Sequence, residues 1–252
     1  MCTRPIERQV NRTRGRRPST TATSAPDTLR NLAKKAGETL RSNRMVILAE
    51  LVLVLLIRFQ VLLPFSPATI PLLLLSCLSL WLRQSGWREV GLGRPVSWRR
   101  TILAGLAIFL PWAALDWWVV IPLVTRLTGQ SIDLSEFASV RGNLGALLTW
   151  VALSWTLAAF GEEMVWRGYL LNRLADLLGR SRAGWVLSLM VMGLLFGWGH
   201  NVQGTAGLLL NIYDGLAFGV LYLASGRNLW LTVIQHGLGN TLGFILIYLG
   251  AV

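Results

Sequence analysis

Along the chain, hydrophobic and polar positions fall into two textures. Residues 1–44 are polar, with no apolar run longer than a few residues. From about residue 45 onward, apolar runs recur, separated by short polar breaks. A run of roughly 20 apolar residues forms a helix long enough to cross about 30 Å of hydrocarbon. The pattern predicts spans near 45–63, 68–82, 101–124, 144–171, 184–201, 205–225 and 228–250. The second is short and the fourth long. The expected architecture is all-α: a polytopic membrane helix bundle of about seven transmembrane helices.

Three regions follow from this pattern. Residues 1–44 read as a basic, unstructured cytosolic arm. Residues 45–143 read as N-terminal membrane helices and loops, and 144–252 as a helical core that carries the chemistry. Glycines concentrate in the last three spans, including Gly193, Gly197, Gly215, Gly219 and Gly237. Small residues let membrane helices approach closely, so these spans are expected to pack tightest.

Composition agrees with the membrane reading. Hydrophobic residues make up 53% of the chain and charged residues 14%. The net charge of +12 is uneven, because residues 1–44 hold 11 Lys/Arg against 3 Asp/Glu. Placing the N-terminus in the cytosol puts Arg83, Arg88, Arg94, Arg99, Arg100, Arg173, Arg180, Arg182 and Arg227 inside, and leaves Arg126 and Arg141 outside. That asymmetry is the positive-inside pattern. A basic arm beside a membrane fits anionic headgroups better than nucleic acid, so no nucleic-acid partner is expected. The arm has no apolar h-region, so a cleaved secretory signal is not expected; its Arg-, Ser- and Thr-rich composition leaves an organelle transit peptide as the alternative. Cys2 and Cys77 define no disulfide framework.

The chemistry lies where polar groups interrupt the apolar runs. An ionisable side chain at the centre of a membrane helix costs about 2.5–3.5 kcal/mol on insertion scales, which makes it a functional candidate. The two histidines of the chain, His200 and His236, both lie in such runs, and Glu162 and Glu163 interrupt a third. At 1.5 Å per residue, Glu162 and His200 lie roughly 25 and 27 Å from the turn near 179–182, so they share a depth. His236 lies about 12 Å along its own span and joins that layer if the fourth span extends past the bilayer. Glu163 and Arg167 are i,i+4 and suited to pairing, which leaves Glu162 to face a cavity. His236 and Asn240 also share a helix face, and Phe196 lies one turn before His200. A carboxylate and an imidazole at one depth can deprotonate a water; a second imidazole and an amide can stabilise an oxyanion. Asp116 and Asp214 read as packing or cavity-lining groups, Asp214 being the nearer candidate for function.

At these residues the chain resembles the CPBP family, which comprises CAAX prenyl endopeptidases of the second type and related bacteriocin-processing and self-immunity proteins. The carrying motifs are Glu162-Glu163-x-x-x-Arg167, Phe196-x-x-x-His200 and His236-x-x-x-Asn240, with Arg167-Gly168-Tyr169-Leu170 after the first and Ser225-Gly226-Arg227-Asn228-Leu229-Trp230 before the third. The resemblance spans about residues 144–250. It implies an intramembrane endopeptidase acting on membrane-associated substrates, either prenylated CAAX-type proteins or peptide precursors. By that resemblance Glu162 and His200 activate water, His236 and Asn240 hold the oxyanion, and Glu163 and Arg167 support the site. Proteins of this kind are often called metalloproteases. Two histidines and carboxylates leave Zn²⁺ open, but Asn is a poor zinc ligand, and no obligatory cofactor is expected. The chain ends soon after the third motif, so the further helix of eukaryotic CAAX enzymes is expected to be missing. The expected partners are the lipid bilayer and a membrane-associated protein or peptide substrate. The expected location is a bacterial inner membrane, with an organelle membrane as the alternative. A non-catalytic immunity or adaptor protein on the same scaffold is the competing function. No HExxH motif is present, which counts against a zincin.

Overall fold

A computed structural model describes residues 25–62 and 67–252. Among the described residues there are helices and no strands. In chain order these are α1 (Ala25–Ser42), α2 (Arg44–Arg58), α3 (Thr69–Leu82), α4 (Trp98–Thr128), α5 (Leu144–Leu178), α6 (Arg182–Trp198), α7 (Asn201–Ala224) and α8 (Leu229–Leu249).

Local chemistry sets several of the boundaries. Asn43, Ser97, Asn143, Ser181 and Asn228 each accept a backbone N–H of the following helix through their side chains, satisfying a donor that a helix start leaves open. Gly179, at φ 89°, closes α5 in the left-handed conformation and turns the chain into α6.

The chain is a polytopic helical membrane protein. The helices α4, α5, α7 and α8 are long and apolar enough to cross a bilayer, while α3 and α6 are apolar but shorter. The 15-residue α2 includes Arg44, Glu50 and Arg58, and it stops at Arg58 instead of running to residue 63. The expected spans therefore divide into four full-length helices and three shorter ones.

The basic arm departs from its expected form. Residues 25–42 are helical, and Arg41 at the end of α1 donates to the carbonyls of Arg83 (2.8 Å) and Gln84 (2.8 Å) beyond α3. Arginines counted at the sequence level only as positive charge here serve as backbone caps. The rest of the arm, with Cys2, lies outside the described residues.

The core lies between α2, α3, α5 and α6, around Ile47, Leu51, Leu72, Met164, Leu171 and Met192. The helices α6 and α7 pack with almost no side chain between them: a methyl added at Gly215 would lie 2.9 Å from the Gly193 Cα. At Gly237 of α8 the added methyl would lie 2.6 Å from the Trp155 ring. Small residues bring the motif-bearing helices together. The loop after α3 folds back on the turn between α7 and α8, where Leu229 N–H donates to Gly91 O (3.1 Å) and the Trp230 indole to Gly93 O (3.1 Å).

Candidate functional site

The helix α5 carries the paired glutamates and is irregular where they occur. It winds as wide π-type turns over Ser154–Glu162 and again over Met164–Leu170. Such turns are uncommon in helices and are frequent at functional sites, because they re-aim side chains and loosen backbone pairing. Glycine is the second residue before Glu163 and the first after Arg167 along this stretch; a methyl on Gly161 would meet the Thr69 side chain at 2.9 Å.

Glu163 is fully buried, and its Oε1 accepts from Arg167 Nη1 at 2.8 Å and from His236 Nδ1 at 3.0 Å. Its second oxygen has no hydrogen-bond partner among the described residues. Arg167 is equally buried. Its Nη2 donates to the backbone carbonyls of Asp214 (3.2 Å) and Gly215 (3.3 Å), and its guanidinium lies 4.5 Å from the Phe196 ring centre and 5.2 Å from that of Phe218. Two aromatic faces and two carbonyls make a cradle for a cation that cannot reach water. One ion pair thus ties α5 to α6, α7 and α8.

The hydrogen bonds also fix the imidazoles. His200 lies at the end of α6, and its Nδ1 is 2.8 Å from Phe196 O. A carbonyl only accepts, so Nδ1 carries the proton and the neutral ring presents Nε2 as a lone pair. Phe196 packs against His200 with the rings tilted at 47° and 4.7 Å between centres. His236 is mostly buried and likewise donates from Nδ1, here to the Glu163 carboxylate. Its Nε2 accepts in the neutral ring and donates only when the ring is an imidazolium.

Glu162 is half-buried and makes no hydrogen bond or ion pair among the described residues. Its charge acts on Arg58, Arg167 and His200. Asn240 lies one turn beyond His236 on α8, half-buried, also without a hydrogen bond among the described residues. Asp214 contributes its backbone carbonyl to Arg167. Asp116 begins a wide-turn segment of α4, and one of its carboxylate oxygens is buried without a partner.

Arg58 escaped the sequence reading. From the end of α2 its guanidinium donates to Gly199 O, the residue before His200. The signal was present, since Arg58 ends an apolar run and is ionisable. Nothing local to α2 distinguishes it from an interfacial charge, and only the packing of α2 against α6 reveals its partner.

The fold and site define an all-helical membrane protein in which a buried carboxylate, guanidinium and imidazole meet between helices. Residues 144–242 match the family model described as Type II CAAX prenyl endopeptidase Rce1-like. The match begins with α5 and takes in α6, α7 and most of α8, including every residue of the three motifs. No match was found among curated proteins or among solved structures.

Proposed function

We propose that the protein hydrolyses peptide bonds of membrane-associated substrates with a water held between Glu162 and His200. The observation that carries this reading is the division of labour between the two glutamates. Glu163 is committed to Arg167 and His236, while Glu162 makes no ion pair among the described residues and its charge reaches His200, whose Nε2 has no partner among them.

In the proposed reaction, water donates one hydrogen bond to His200 Nε2 and gives its other proton to the Glu162 carboxylate as its oxygen adds to the scissile carbonyl. The carbonyl oxygen becomes an oxyanion. His236 as imidazolium donates to it from Nε2, with Glu163 accepting Nδ1–H on the other side of the ring. The Asn240 amide is the second donor. Collapse of the tetrahedral intermediate expels the amine, which takes the proton held by Glu162. Arg167 keeps Glu163 ionised, so His236 holds its orientation. Among the described residues no three His, Cys, Asp or Glu side chains group closely enough to hold a metal ion; the steps above therefore use the protein's own groups.

The substrates in this proposal are membrane-associated proteins or peptides, either prenylated at a CAAX-type C-terminus or precursors matured by cleavage. The membrane is proposed to be a bacterial inner membrane with the N-terminus in the cytosol, as the distribution of arginine implies. Comparison of C-terminal and membrane-peptide products from cells with wild type and with Glu162→Gln tests the reading. The variant is expected to insert and fold normally and to lose about 10²–10⁴-fold in cleavage rate, the range for a positioned acid–base group. Unchanged products would overturn the assignment and favour a non-catalytic adaptor on the same scaffold.

A further inference from the structure

A second polar chamber lies away from this site, on the arginine-rich side of the bundle. Its cavity of about 230 Å³ is bounded by Ser85 and Glu89 from the loop after α3, Asn172 and Arg173 from α5, Arg180 from the turn after it, and Arg227 from the turn between α7 and α8. Arg173 is ten residues beyond Glu163, about 15 Å along the helix. The chamber is therefore separate from the carboxylate–imidazole cluster.

The informative group is Arg173. Its side chain is 8% exposed, and only Nη2 is engaged, at 2.9 Å from Asp176. Both Nε and Nη1 are buried with no hydrogen-bond partner among the described residues. Arg83, also buried, shows how this protein otherwise treats such a group. Its Nη2 meets Glu50, its Nε meets Ser79 and its Nη1 meets the Leu40 carbonyl. Buried donors without partners are costly, and those of a cation more so. Arg173 is part of the cavity's lining, so a ligand held there approaches its incompletely paired guanidinium.

The other walls specify the ligand's chemistry. Arg227 donates to Asn172 Oδ1 at 3.3 Å, which occupies the amide's acceptor. Glu89 is the one carboxylate of the lining, and it is paired with Arg41 at 3.5 Å on the exposed rim. Three guanidinium groups and a hydroxyl thus line the cavity from three separate parts of the chain, with Arg173 and Arg180 also sharing Asp176. A planar carboxylate is matched by one guanidinium fork, whereas a phosphate spreads its oxygens tetrahedrally and suits donors arriving from several directions. Basic pockets between membrane helices near the cytosolic face recognise phosphate-bearing headgroups by this chemistry.

We infer that this chamber is a phosphate-binding site in which Arg173 is the central ligand, with Arg180, Arg227 and Ser85 completing it. The phosphate comes either from an anionic lipid headgroup or from solution. The test uses full-length protein in a phosphate-free maltoside detergent, with thermal unfolding and native mass spectrometry as readouts. The probes are dioleoylphosphatidic acid, with dioleoylglycerol as its control, and inorganic phosphate, with chloride at equal ionic strength.

At least one phosphate probe should raise the melting temperature saturably and add one equivalent per chain. Arg173→Gln should weaken that binding at least tenfold. Binding of phosphatidic acid alone identifies the headgroup as the source; binding of both probes admits free phosphate. Ser85→Glu leaves Arg173 and Asp176 in place and puts a carboxylate into the cavity. It should weaken binding to a similar degree and carries the test alone if Arg173→Gln does not fold. No stabilisation of wild type by either probe, or equal binding by wild type and Ser85→Glu, would overturn the inference.

Discussion

Two buried glutamate–arginine pairs, built from the same residue types, are put to different uses. In the N-terminal half, Glu50 of α2 meets Arg83 at the end of α3 at 2.6 Å. Ser79 donates to its Oε1 and Tyr169 of α5 to its Oε2, each at 3.1 Å, and every nitrogen of Arg83 is engaged. In the C-terminal half, Glu163 meets Arg167 at 2.8 Å, but among the described residues one of its oxygens and the Arg167 Nε have no hydrogen-bond partner. The first pair is closed: it fastens α2, α3 and α5 together. The second also recruits an imidazole, leans on aromatic faces and lies beside a carboxylate with no partner of its own. A complete network gives rigidity, whereas an incomplete one in a low-dielectric interior leaves its polar groups available for chemistry.

The largest effect is expected from breaking the second pair. Arg167→Met leaves Glu163 charged, buried and without its cation; removing one partner of a buried pair costs about 3–5 kcal/mol. Thermal unfolding in detergent should show this loss, and cleavage should disappear with it. Stability within 1 kcal/mol of wild type, roughly, would mean that the pair is not a structural keystone.

Arg83→Met should cost less, about 1–3 kcal/mol, the penalty for leaving a polar group incompletely paired. Glu50 is 19% exposed and keeps its bonds from Ser79 and Tyr169. Cleavage per folded molecule should be unchanged, which a rate normalised to folded protein would check. A loss of rate without a loss of stability would join the two networks into one site.

The smallest effect is expected from Tyr169→Phe, which removes one hydroxyl from the Glu50 network and leaves the packing in place. About 0.5–1.5 kcal/mol is expected, with no change in cleavage. A larger loss would show that Tyr169, two residues after Arg167, transmits between the pairs.

The second pair was legible in the sequence and the first was not, for a geometric reason. Glu163 and Arg167 are four residues apart on one helix, so spacing alone brings them together. Glu50 and Arg83 are on different helices, and each read alone is an ordinary interfacial charge. The same reason hid Arg58, whose partner is the backbone of Gly199. It also hid the role of Arg173, which was visible only as positive charge on the cytosolic side. The helical form of residues 25–42 was missed because a polar, basic segment shows no apolar run.

Periodicity and apolar run length determined that this chain is a membrane helix bundle, because hydrocarbon demands internally satisfied backbone and long apolar segments. Motif spacing determined which polar residues share a helix face, and the depth estimate brought three segments to one layer. Only the tertiary structure decided which oxygen each arginine meets, which nitrogen of each histidine carries the proton, and which donors stay vacant. Those outcomes depend on contacts between helices far apart in the chain, at distances of about 3 Å that helix rise cannot resolve.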